Sequence, residues 1–161
     1  MSVKVHFPTL PLQVAVARTG GITRENAIEA ALENLREISG EGDASIESTI
    51  QALESLVKSA GAGLSADHLR TVLGHADQIV TMAGTFAYEA LDRASRSLCD
   101  IADGLLREGR GDVAPVAVHV RAMRLFSPMG TPPQPEESAR ILAELGKVTA
   151  YYKFTPLGAN Q

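Results

Sequence analysis

Apolar residues recur along most of this chain in steps of three and four, the spacing that sets them on one face of an α-helix. A first stripe begins after Thr23, a good N-cap residue, and runs Ile28, Leu32, Leu35. It resumes at Ile46, Thr49/Ile50, Leu53 and Leu56/Val57, and the halves join if Ser39 and Gly42 fill the missing places. The pattern fits one long helix over about 24–60, or two helices broken near Gly40 and Gly42. Each of those glycines costs about 1 kcal/mol against Ala. Gly61 and Gly63 end the segment.

Ser65 can cap a second helix whose stripe is Leu69, Val72/Leu73, Ala76, Ile79/Val80 and Ala83. A tight turn near Phe86-Ala87 leads to a third, with Leu91, Ala94, Leu98, Ile101/Ala102 and Leu105. Gly109-Arg110-Gly111-Asp112 is a turn, and a fourth helix follows with Val116, Val120 and Met123 inward. Residues 127–135 hold four prolines and read as a loop. Glu136 to about Thr149 forms a last helix with Ile141, Leu142, Leu145 and Val148 apolar. The expected fold is all-α: an antiparallel four-helix bundle with a long first helix and an extra C-terminal one. Its expected parts are an extended N-terminal arm (1–21), the bundle (22–126), and a Pro-rich loop with a C-terminal helix packing on it (127–161).

Composition narrows the function classes. The chain has 161 residues, 45% hydrophobic but only 4% aromatic with no Trp, which suits helices packed through small side chains. A formal net charge of −4 without a clustered basic face excludes a nucleic-acid footprint. The single Cys99 forbids an internal disulfide and fits a reducing cytoplasm, and it reads as a small packed residue. No apolar run approaches the roughly 18 residues of a membrane-spanning helix, so a soluble cytoplasmic protein is expected. No His/Cys/Glu cluster has metal-ligand spacing, Gly61-Ala62-Gly63 lacks the Lys of a phosphate loop, and no Ser/His/Asp set is recognisable. The expectation is a protein that is not an enzyme and carries no cofactor or metal.

The stretch Gly74–Leu106 is the most informative. It resembles the core of a histidine phosphotransfer (HPt) domain. That family shows a phosphorylated His, an apolar residue two later, Lys three later, Gly four later and Ala six later. A small residue at the turn and a Leu opening the next helix complete the pattern. Asp77 falls on the phospho-His position, followed by Ile79, Val80, Thr81, Ala83, Ala87 and Leu91. The apolar scaffold matches, and the three residues that carry the chemistry do not. Thr19–Thr23 before an Ala- and Glu-rich helix, Ser97-Leu98-Cys99-Asp100, and Val118–Leu125 look similar to the small CheE-like chemotaxis proteins of alphaproteobacteria.

The resemblance implies two-component or chemotaxis signalling, with a receiver domain or a sensor kinase as partner. A phosphotransfer His is a ring-nitrogen nucleophile that holds phosphate as a labile phosphoramidate. Asp77 cannot replace it, Val80 brings no charge, and Thr81 narrows the approach. Binding without transfer follows, on a face made by Asp77, Val80, Thr81, Gly84 and Thr85. Ala76, Val80 and Gly84 would supply its small-residue surface, and the Thr81 and Thr85 hydroxyls its polar rim.

Two alternatives stand beside this adaptor. His75 or His68 could be a genuine phosphoacceptor, although His75 points about 200° and His68 about 180° away from Asp77 around the helix; His119 has less support. Or the chain is a structural helical module, a homodimer through its long first helix. Glu25, Glu29, Glu33 and Glu37 repeat every fourth residue there, as a solvated face or an acidic docking strip.

Overall fold

Thr23 opens the first helix as its spacing suggests: the Asn26 backbone N–H donates to Thr23 Oγ1 at 3.2 Å. From there α1 (Arg24–Ser59) runs through Gly40 and Gly42 as one continuous helix. The structure, a computed structural model, describes residues 21–152 and residue 154, apart from the side chains of residues 35–37. The expected arm before Gly21, and the Leu35 and Glu37 side chains, lie outside the described residues.

By its internal contacts the chain forms two compact units, Met1–Glu37 and Ile38–Gln161. In the first, residues 21–34 are all exposed. Ile22 is 78% exposed and Ile28 and Leu32 are each 49% exposed. The early part of the first stripe is therefore helical but not buried. Periodicity places Ile28 and Leu32 on one face without saying what covers it.

The second unit holds the rest of α1 and four more helices: α2 (Ala66–Thr85), α3 (Glu89–Arg107), α4 (Val113–Leu125) and α5 (Pro135–Tyr152). Among the described residues every regular element is a helix. Ile46, Ile50 and Leu53 of α1, Leu69, Val72, Ala76, Ile79 and Ala83 of α2, and Leu91, Leu98, Ile101 and Leu105 of α3 form the core. Val116, Val120 and Met123 of α4 and Leu145 of α5 complete it. Each fully buried Leu or Ile contributes about 1.5–3 kcal/mol. The third helix is central: it packs along α2 and also against α4 and α5.

The connections fix α2 and α3. Ser65 Oγ accepts the His68 backbone N–H at 3.1 Å, and the Ser65 N–H donates back to His68 Nδ1 at 3.3 Å. This capping box uses His where Glu or Gln is usual. Between α2 and α3 the chain reverses over three residues, with Ala87 in the left-handed region at φ 60°. The Leu64 N–H donates to Gly111 O at 2.8 Å, an approach so close that a Cβ at Gly111 would strike the Leu64 backbone.

Three side-chain links then cross the second unit. The Tyr88 hydroxyl donates to Asp43 Oδ1 at 2.7 Å, and a Cβ at Gly42 would overlap the Phe86 ring. Arg124 of α4 forks onto Glu54 of α1 and also pairs with Glu47, which accepts the Ser127 hydroxyl at 2.9 Å. Its guanidinium holds both carboxyls below the usual carboxylate range. His119, fully buried on α4, donates Nδ1–H to Pro115 O at 2.7 Å, so Nε2 accepts from Ser97 Oγ at 2.9 Å. Thr149 Oγ1 stands 3.0 Å from the same Ser97 oxygen, which ties α3, α4 and α5 together.

Candidate functional site

The expected docking residues all sit on α2, and all but Val80 are on the side turned away from its core stripe. With Ala76, Ile79 and Ala83 buried, 100° per residue leaves Gly74, Asp77, Gln78, Thr81, Gly84 and Thr85 facing out, and all six are exposed. Val80 is half-buried at the edge of this face. A Cβ added at Gly74 or at Gly84 would meet no neighbouring atom within 4 Å, so among the described residues no other element stands over the face there. The Thr81 hydroxyl donates to Asp77 O at 3.1 Å and the Thr85 hydroxyl to Thr81 O at 2.9 Å. Each hydroxyl oxygen keeps lone pairs that can accept a further hydrogen bond.

One part of the expected surface is corrected. Ala76 is fully buried and belongs to the core, not to the small-residue surface with Val80 and Gly84. Its stripe neighbours Ile79 and Ala83 lie on the same side of the helix, and they fix it there. The smooth ground beside Asp77 comes instead from Gly74, which pattern reading passed over.

The neighbouring helix supplies charge that the motif does not show. Arg96 Nε contacts the two Asp92 carboxylate oxygens at 2.9 and 3.1 Å, one turn apart on α3. Asp92 strengthens the guanidinium's hold on its proton most, and the Asp77 charge adds to this. Asp77 also bears on Cys99 of α3. Burial first, and then the Asp77 carboxylate, push that thiol up to about 11. The thiol is thus protonated near neutral pH and a poor nucleophile. Arg96 on α3 is thus a cation that feels the Asp77 charge, whereas the third residue after Asp77 is Val80. The i,i+4 spacing of Asp92 and Arg96 was readable as an ion pair, but its register against α2 was not.

The histidines divide by environment. His68 spends the Nδ1 lone pair on the cap of α2. His119 is sealed in the core, where burial lowers its pKa below the ordinary 6.5. His75 is half-buried on the flank of α2, away from the Asp77 face. Among the described residues no group of three or more His, Cys, Asp or Glu side chains is placed to hold a metal ion, and no helix is long and apolar enough to cross a membrane. Compared with family models, curated proteins and solved structures, the chain matches none of them.

Proposed function

We propose that this chain is a non-catalytic, HPt-like adaptor in bacterial two-component or chemotaxis signalling. In this reading α2–α4 and the later part of α1 make an antiparallel four-helix bundle, with α5 as the extra helix. The face around Asp77 binds a receiver domain or a sensor kinase. The observation that carries the reading is the open face of α2. Asp77 stands exposed at mid-helix between two glycines that no other described residue crowds, a position that matches where a relay protein of this type presents its imidazole. A carboxylate there keeps a negative, hydrogen-bond-accepting surface and removes the nucleophile. Transfer through His75 ranks below this, because His75 lies off the face and is half-buried.

The test is binding to purified receiver domains by titration calorimetry, with wild type and Val80→Glu compared. Val80 is half-buried at the rim, so a charge there disturbs docking while the core stays intact. Loss of binding with unchanged helicity supports the adaptor. Acid-labile, base-stable phosphate on His75 after incubation with a phosphorylated receiver overturns it, and so does equal binding by both proteins.

A further inference from the structure

Residues of α4, of α5 and Pro133 line an open groove of about 880 Å³ in the second unit. Its lining is mostly apolar, with Val118, Ala122, Leu125 and Ile141 among the residues. Val118 is 42% and Leu125 51% exposed, two branched apolar side chains of α4 left open on the groove. Arg121 stands on one wall and Arg140 on the other, and neither makes an ion pair among the described residues. Of the lining acids, Glu144 is already paired with Lys147 at 2.6 Å, which leaves Glu137.

The first unit presents the complementary object. The start of α1 exposes Ile28 and Leu32, one helical turn apart, and the exposed row Glu25, Glu29 and Glu33 runs immediately beside them. An amphipathic helix with i,i+4 anchors is what an apolar groove between two helices takes up. Acidic residues flanking the anchors match the two unpaired arginines on the walls. The start of α1 has no buried residue over 24–34, so a covering surface adds burial that it lacks.

We infer that the start of α1 of one copy docks into the α4–α5 groove of a second copy, with Ile28 and Leu32 as anchors and Arg121 and Arg140 gripping the acidic row. The interface is heterologous in its parts, helix into groove. The groove is made by α4 and α5 rather than by the helix that carries Asp77, so self-association and partner binding use different residues of the chain.

The test uses the full chain and light scattering coupled to gel filtration over a range of concentrations. Wild type forms dimers or larger assemblies. Leu32→Glu and, separately, Val118→Glu each weaken association by more than about tenfold, because each places a charge in an apolar contact. Mixing these two variants restores a complex, since one copy keeps an intact groove and the other an intact helix. Arg140→Glu weakens association without an apolar change, and circular dichroism checks that each variant keeps its helicity. Wild type that stays monomeric at all concentrations overturns the inference. So does Val118→Glu that still dimerises, which would mean the exposed helices pair with each other, and so does a mixture that stays monomeric. Receiver binding by Leu32→Glu stays at the wild-type level, so failure here is distinct from failure of the adaptor reading.

Discussion

Arg124 grips Glu54 at two points: its Nε donates to Oε1 at 3.0 Å and its Nη2 to Oε2 at 2.9 Å. The two residues are 70 apart in sequence and join α4 to α1. A planar fork on a carboxylate is a geometry that lysine cannot copy. Arg124→Ala should destabilise the protein by about 2 kcal/mol, since charge-assisted hydrogen bonds are lost and two part-buried carboxylates remain. Arg124→Lys should recover about half of that. Urea unfolding measures both, and an alanine variant within about 0.5 kcal/mol of wild type would mean solvent already screens the fork.

The pH dependence follows from three groups. Burial lowers the His119 pKa below 6.5, so the folded protein holds it neutral. The unfolded chain binds that proton more readily. The stability His119 contributes is thus complete above about pH 6.5 and declines as pH falls below it, by up to about 1.4 kcal/mol per pH unit. Glu47 and Glu54, lowered from 4.5 by Arg124, add a second loss below pH 4.5. Melting temperature measured from pH 7.5 to 4 should bend first near 6.5. His119→Asn, which cannot take up the proton, should flatten that first bend and leave the second.

Two glycines of α1 should respond in opposite ways to alanine. Gly40 is exposed and a Cβ there meets nothing within 4 Å, so Gly40→Ala should stabilise by about 0.5–1 kcal/mol through helix propensity. At Gly42 the new methyl lands on the Phe86 ring, which must move. That steric cost exceeds the propensity gain, and Gly42→Ala should destabilise by about 1 kcal/mol. Thermal melts of the two variants side by side decide the matter. A stabilised Gly42→Ala would show that the ring is free to swing away.

Burial, and after it the Asp43 carboxylate, push the Tyr88 phenol up to about 12. The unfolded phenol ionises near 10, so its contribution is present below pH 10 and is lost as pH rises toward 12. Phenolate absorbance of wild type minus that of Tyr88→Phe should appear near pH 12. A difference centred on 10 would mean an open, solvated hydroxyl. The substitution itself should cost about 1 kcal/mol, the value of one hydrogen bond.

What could be read from sequence follows the range of each interaction. Ser65 as a cap and the seam from Leu91 to Leu105 depend on neighbours within one or two helical turns, and they stand in the structure as the spacing implies. Asp77 is exposed and Ile79 and Ala83 are buried, as a short-range 100° step per residue separates them. The gap in the first stripe at Gly42 looked like a weakness in a helix. It is the seat of an aromatic ring supplied 44 positions later, and no local rule contains that pairing. The His119, Ser97 and Thr149 link, the Arg124 fork and the nearness of Arg96 to Asp77 are likewise fixed only when helices pack. Periodicity also could not separate Ile28 from Ile50, because both lie on the stripe and only one is covered.

The three-residue reversal at Ala87 sets the order of assembly. Because α2 and α3 are adjacent in sequence and pack along each other, closing them costs little chain entropy. Such a hairpin forms early, on the timescale of local helix contacts, while the Arg124 to Glu54 closure waits for the rest of the chain. Lesions in the hairpin would then slow refolding, and lesions at Arg124 would chiefly hasten unfolding. The surface that carries Asp77 is built on the part of the molecule that loop-closure entropy expects to condense first.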